Sequence, residues 1–187
     1  MEEVRVPERT TSADPRPLTG EPLSLDLLNT RWITDGPHDL LETVDGLATW
    51  LTGAGLADRC PADEATLAAV RHARDALAAA VVSPDASALN AVLDRGRVRL
   101  ALVDGAPVER VEVDDPAWLP GWLAARDYLD LLGRAPDRIR PCANPACVLH
   151  FFDVSKNGSR RWCSMAGCGN RSKANRHYAR VRENRAG

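Results

Sequence analysis

The sequence of 187 residues lacks any apolar run long enough to cross a lipid bilayer. It also lacks the basic start and apolar centre of a secretory signal, because its first residues, MEEVRVPERTTSADPRP, are polar, charged and rich in proline. We therefore expect a cytoplasmic protein without a membrane partner. We interpret residues 1–20 as a flexible leader.

Sequence motifs that support many enzymes are also missing. The chain has no glycine-rich phosphate loop, no nucleophile elbow and no pair of metalloprotease histidines. An enzyme acting through the N-terminal part is consequently the least supported class of function, and we predict no catalytic residues.

The chain has five cysteines, and four of them form a pattern. Cys142 and Cys147 are separated by four residues, fifteen residues follow, and Cys163 and Cys168 are again separated by four. A reducing cytosol disfavours disulfides, and a thioredoxin-like site would need C-x-x-C in a βαβ unit. Two close pairs joined by a linker are typical of a four-thiolate zinc site without an open position. We predict one structural Zn²⁺ and interpret Cys60 as an isolated surface or half-buried thiol.

The formal net charge of -2 conceals a strong asymmetry. Residues 138–187 contain eleven basic and two acidic residues, a formal charge of +9, so the remainder carries -11. Four thiolates around one zinc carry a formal charge of about -2, which would balance only two or three of these basic residues. Such an asymmetry favours a nucleic acid or another polyanion as a partner.

Apolar residues recur at helical spacing in five segments, at residues 21–30, 38–56, 62–82, 83–96 and 115–133. We take Ser83 as the N-cap of the fourth segment, and Leu129 and Leu132 as part of the inner face of the fifth. Residues 98–113 alternate in polarity around Asp104-Gly105, which predicts a β-hairpin. We therefore expect a mostly helical α+β domain over residues 21–135 with one small hairpin sheet, followed by a cysteine module over residues 138–187.

The module ends in a predicted helix, NRSKANRHYARVREN, at residues 170–184. Helical geometry places Lys173, Arg176 and Arg180 on the side opposite an apolar stripe formed by Ala174, Tyr178 and Val181. A basic stripe of this kind suits contact with phosphates, for example in a DNA groove. The alternative is a solvated basic face without a partner.

The C-terminal part resembles the CGNR zinc-finger family. The resemblance rests on the four cysteines and on two stretches, FFDVSKNGSRRWC and CGNRSKANRHYAR. It implies a zinc finger ligated by Cys142, Cys147, Cys163 and Cys168, and a DNA partner contacted by the basic motif positions Arg160, Arg161, Arg171, Lys173 and Arg180. The stretches LSLDLLNT and WLTGAGL are similar to the ABATE domain, which implies a stress-responsive transcription regulator.

Two polar residues, Asp26 and Asn29, lie among apolar ones in LDLLNT. One interpretation is that Asn29 ends the first helix and binds the backbone; the other is that Asp26 and Asn29 line a pocket for a small-molecule effector. An acidic domain beside a basic finger also allows autoinhibition, in which one covers the other.

Our functional prediction is a DNA-binding transcription regulator with a structural zinc finger and a basic terminal helix. A single finger is a small interface, so high specificity would require a homodimer. The alternative is a zinc-stabilised module that binds RNA or protein without sequence-specific DNA binding.

Overall fold

The computed structural model describes residues 14–174. Most of the predicted leader, and the predicted DNA-contact residues Arg176 and Arg180, lie outside the described residues. Within the described part, no helix combines the length and the apolar character that a membrane span requires.

Helices dominate the described part. They are α1 (Leu23–Leu28), α2 (Val44–Gly53), α3 (Glu64–Val82), α4 (Ser87–Leu93) and α5 (Leu119–Arg134), and short 3-10 turns lie at Leu40–Glu42, Pro116–Trp118 and Pro136–Arg138. Side chains cap two of the helices: Thr43 accepts a hydrogen bond from the amide of Gly46, and Asp63 accepts one from that of Thr66. These caps explain why α2 and α3 begin where they do.

The strands form three separate antiparallel hairpins in the described residues. They are β1 (Arg31–Ile33) with β2 (Pro37–Asp39), β3 (Gly96–Val103) with β4 (Ala106–Val113), and β5 (Ile139–Pro141) with β6 (His150–Phe152). The β3–β4 turn has Asp104 at φ 51° and Gly105 at φ 78°, and two-residue hairpin turns of this left-handed kind favour Asp-Gly. The hairpin predicted over residues 98–113 is therefore confirmed, as is the mostly helical α+β fold class.

Three local predictions are wrong. Ser83 ends α3, and the carboxylate of Asp85 accepts the amide of Ser87 where α4 begins. Leu129 and Leu132 are 45% and 38% exposed, because α5 packs through a neighbouring face that contains Ala124, Ala125, Tyr128 and Leu131. Cys60 is buried rather than superficial and belongs to the main core.

The main core lies between the helices, where α3 contacts α1, α4 and α5. Its fully buried members include Leu27, Leu47, Trp50, Val70 and Leu77. Gly121 allows α5 to approach α3 closely, because a Cβ at this position would lie 2.7 Å from Cβ of Ala73.

A second, smaller core joins the cysteine module to the helical part. Its buried members are Trp32 from β1, Leu149, Phe151 and three of the cysteines, and Leu18 and Leu40 pack against it. Leu18 belongs to the expected leader, so residues 14–20 contact the remainder of the molecule. The module therefore shares its core with residues that precede its first cysteine, Cys142, by more than a hundred positions.

Candidate metal centre

The four patterned cysteines come from two turns that face each other. Cys142 follows β5 directly and donates its amide to the carbonyl of Leu149, just before β6. Cys147 lies in the loop between these strands, and its amide binds the carbonyl of Asn144. Cys163 lies just before a π-helical turn at Met165–Gly169, and Cys168 lies within that turn.

The sulfur atoms of Cys142, Cys147, Cys163 and Cys168 all lie within 4.8 Å of one another. The Sγ atoms of Cys147 and Cys163 are 3.9 Å apart. A tetrahedral zinc with bonds of about 2.3 Å separates its sulfurs by about 3.8 Å, so the arrangement fits one zinc ion. Four thiols already fill a tetrahedron, which is typical of a structural rather than a catalytic zinc.

Nitrogen donors surround the sulfur atoms. The amide of Cys163 lies 3.4 Å from Sγ of Cys142, and both Nδ2 of Asn144 and Nη2 of Arg171 lie 3.3 Å from Sγ of Cys168. Hydrogen bonds of this kind stabilise thiolates and orient the ligands of a metal. The contact of Arg171 thus offers local charge compensation for the cysteines.

The thiol pKa values are unequal because the sulfurs are so close. The hydrogen bond from the thiol of Cys163 lowers the pKa of Cys147 to about 5, and the same bond raises the pKa of Cys163. Burial raises the pKa of Cys142. The thiols of Cys142, Cys147 and Cys163 therefore do not all ionise together by themselves, and a divalent cation would supply the positive charge that their full ionisation needs.

Local geometry explains several other motif residues. The hydroxyl of Ser164 accepts the amide of Gly167 and caps the π-helical turn. Asn170 lies in helical conformation and donates Nδ2 to the carbonyl of Ala166. A Cβ at Gly169 would meet Sδ of Met165 at 2.9 Å, a contact that a shift of the flexible Met165 side chain would relieve. Residues 170–174 are helical, as predicted for the start of the terminal helix.

Arg160 contributes to the internal structure of the finger. Its guanidinium donates hydrogen bonds to the carbonyls of Trp162 and Cys163 and to the carboxylate of Glu21, and it lies 4.2 Å from the ring centre of Phe151. These contacts differ from the expectation that Arg160 faces nucleic acid. Sequence reasoning missed this role because Glu21 is 139 positions away.

Two further arginines of the finger are also bound internally. Arg138 donates to the carbonyls of Asp153 and Ser155, and Arg140 donates to the carbonyl of Gly158. The buried carboxylate of Asp153 accepts the amides of Ser155 and Arg160. Burial alone would raise the pKa of Asp153, but these hydrogen bonds lower it below the usual value, so the carboxylate stays ionised beside the arginines.

The other basic side chains of the described finger point outward. Arg161, Arg171 and Lys173 are exposed, and the guanidinium of Arg161 lies 5.3 Å from the ring centre of Trp162. Lys156 is likewise exposed and was absent from our predicted contacts. Neither Lys156 nor Lys173 has a hydrogen bond or ion pair within residues 14–174.

Asp26 and Asn29 are buried and bind protein groups. Asp26 accepts hydrogen bonds from Nη1 of Arg16 and Nε1 of Trp50. Asn29 ends α1, and its side-chain amide forms two 2.9 Å hydrogen bonds with the backbone of His150 in β6. The backbone-binding interpretation of Asn29 thus matches the structure, and its partner belongs to the finger.

Comparison with known families assigns both parts of the chain. Residues 21–135 match the ABATE family, described as "Putative stress-induced transcription regulator", and residues 138–181 match the CGNR zinc finger. No curated protein matches the chain significantly. Since the first match covers more than half of the sequence and the second accounts for the four-cysteine centre, the chain belongs to the ABATE family and carries a CGNR zinc finger.

Proposed function

We propose that this protein is a transcription regulator that binds DNA through the outward basic surface of its zinc finger. We call Lys156, Arg161, Arg171 and Lys173 the outward cations. The observation that supports the proposal most is the scarcity of carboxylates beside them: residues 138–174 contain a single acidic residue, Asp153, and that carboxylate is buried and paired. The outward surface is therefore basic without local compensation by carboxylates of the finger, which favours phosphate contact.

The zinc centre supports this role by holding the outward cations on a rigid scaffold. Cys163 and Cys168 fix the turn that leads into residues 170–174, and Arg161 lies just before that turn. The predicted contacts Arg176 and Arg180 continue the same segment, outside the described residues. A regulator of this design has residues 21–135 as a regulatory domain and residues 138–187 as the DNA-binding finger, and it gains specificity by forming a homodimer.

The test is the affinity of the zinc-loaded protein for a labelled DNA duplex, measured by fluorescence anisotropy at two salt concentrations. We expect Arg161→Ala/Lys173→Ala to weaken binding and to reduce the salt slope by about 2, because each lost phosphate contact removes about one unit. Lys173→Ala/Arg176→Ala/Arg180→Ala should reduce it further. The matched control is Arg99→Ala on β3, which also removes positive charge but lies in the N-terminal domain.

The outcomes separate the classes of function. Equal losses per removed charge in Arg99→Ala and in Arg161→Ala/Lys173→Ala would mean that only net charge matters, and this would contradict a specific interface. Preference for an RNA hairpin over the duplex would favour the RNA-binding alternative. Weak binding that none of the variants changes would leave a protein-interaction module as the better explanation.

A further inference from the structure

A cavity lies at the junction between the helical domain and the finger. Its volume is about 480 Å³. It is lined by Leu28 at the end of α1, by both strands of the β1–β2 hairpin, by Ala78 and Val82 of α3, and by Val148 and His150 of the finger. Both parts of the chain thus contribute walls, although they are far apart in sequence.

The dimensions and walls of this junction cavity are those of a small-molecule site. Sites for small ligands usually enclose about 300–1,000 Å³ and are mainly apolar with a few polar groups. Leu28, Ile33, Ala78, Val82 and Val148 supply apolar surface here, and Val82 is 81% exposed at the edge. The side chains of Trp32 and His38 stack with ring centres 5.0 Å apart and an interplanar angle of 9°, which adds an aromatic wall.

The charged residues that line the cavity restrict the net charge of the ligand that it would bind. Arg31 is paired with Asp39 at 3.2 Å and with Asp75 at 2.8 Å, and Asp39 is also bound by Arg74. The remaining charged residue of the lining is Glu42, so the lining has a formal charge of -1 and its cation is already compensated. An anionic ligand would find no available positive charge in the cavity. An uncharged molecule would lose little hydration free energy when it moves from water into the cavity.

We propose that the junction cavity binds a small, uncharged, apolar molecule that contains a ring. The ligand would contact α1, α3 and the β1–β2 hairpin on one side and the finger segment Val148–His150 on the other. Asn29 already joins the two sides there through the backbone of His150. A bound ligand would add apolar contacts across the same junction. The inference does not depend on DNA binding.

The test uses the full chain, loaded with zinc, and two fluorescent dyes of similar shape. N-phenylnaphthylamine is uncharged, and anilinonaphthalene sulfonate adds a negative charge to a related ring system. We expect the uncharged dye to bind with one site per chain and at least tenfold more tightly than the sulfonate. Failure of the wild-type protein to bind the uncharged dye, or tighter binding of the sulfonate, would overturn the proposal.

A pair of neighbouring substitutions on α3 locates the site. Ala78→Trp introduces a ring into the cavity and should weaken binding of the uncharged dye at least tenfold, whereas Ala79→Trp, on an exposed position of the same helix, should not change it. Val148→Trp, on the finger side, provides a second variant in case Ala78→Trp does not fold. Its control is Val154→Trp, which lies elsewhere on the finger and is 81% exposed. Dye binding that survives both cavity variants would exclude this cavity as the site.

Discussion

At the scale of single residues, the basic side chains of the described finger fall into three groups according to what they contact. Arg138, Arg140 and Arg160 bind carbonyls and carboxylates inside the protein, and Arg171 approaches the sulfur of Cys168. The other described cations, Lys156, Arg161 and Lys173, face outward. Among the cations of residues 138–174, the last group and Arg171 are the exposed ones, so adjacent arginines of the RRW motif have different roles.

Because Arg160 is bound inside the protein and Arg161 is exposed, we expect substitutions of these two arginines to affect stability differently. Arg160→Ala should lower the free energy of unfolding by about 1–3 kcal/mol, because it leaves the carboxylate of Glu21 and two carbonyls without their charged donor. Arg161→Ala should change stability by less than about 0.5 kcal/mol, as is usual for exposed positions, while weakening DNA binding. Urea unfolding followed by circular dichroism measures the first effect. Equal stability of the two variants would contradict the internal role of Arg160.

At the scale of elements, a buried ion pair connects α3 to the β1–β2 hairpin. The side chain of Arg74 is 1% exposed, and it donates to both carboxylate oxygens of Asp39 and to the hydroxyl of Thr30. Burial alone would raise the pKa of Asp39, but the hydrogen bonds from Arg74 lower it below its usual value. Trp32 of β1 belongs to the finger core. The Arg74–Asp39 ion pair therefore also stabilises the hairpin against which the finger packs.

We expect Arg74→Met to destabilise the protein by about 3–5 kcal/mol at pH 7, because the substitution leaves Asp39 half-buried without its main partner. A carboxylate whose native pKa is lowered stabilises the fold above its usual pKa of about 3.9, and this contribution disappears as the pH falls through the native value. The difference between Arg74→Met and wild type should consequently shrink below about pH 4. Unfolding free energies measured across this range provide the check.

The control for this prediction is Arg31→Met. Arg31 binds the same carboxylate at 3.2 Å, but its side chain is 48% exposed, so its loss should cost at most about 1 kcal/mol. A difference between Arg74→Met and wild type that stays constant from neutral pH to below pH 4 would show that Arg74 acts by packing rather than by charge.

At the scale of the whole molecule, the finger and the helical domain are held together by three kinds of contact. Trp32, Leu18 and Leu40 share the finger core, Glu21 binds Arg160 and the amide of Phe152, and Asn29 binds His150. This arrangement affects the hypothesis of autoinhibition. Deletion of residues 1–135 would remove part of the finger core as well as a domain that could cover the basic surface. Point substitutions are therefore the better test of autoinhibition.

We therefore expect removal of zinc by a chelator to destabilise the whole chain. Structural zinc contributes on the order of 10 kcal/mol to small domains, and the cysteines here form part of a core that includes Trp32. The midpoint of thermal unfolding, followed by the helical signal, should fall, and tryptophan fluorescence should shift to longer wavelength. Trp32→Phe should reduce that fluorescence shift.

Cys163→Ser should reproduce the effect of the chelator, whereas Cys60→Ser should retain zinc because Cys60 lies in the helical core. A helical midpoint unchanged by complete loss of zinc would show that the two parts unfold independently.

The sequence by itself determined the features that depend on near neighbours. The spacing of the four cysteines predicted the metal ligands, because each pair closes within one turn, and Asp104-Gly105 predicted the hairpin, because that turn needs residues that tolerate positive φ. Helical periodicity located the helices of the N-terminal domain, although Ser83 and the inner face of α5 were misassigned. The pattern that predicts a helix does not tell which of Leu129, Leu131 and Leu132 faces its neighbours.

Only the tertiary structure decided what each polar side chain does. Asn29 binds a backbone segment 121 residues away, Arg160 reaches Glu21, and Cys60 lies within the helical core. The junction cavity exists only because α3, the β1–β2 hairpin and the finger meet in the fold. These roles depend on desolvation and on partners that are distant in sequence, and no local pattern records either.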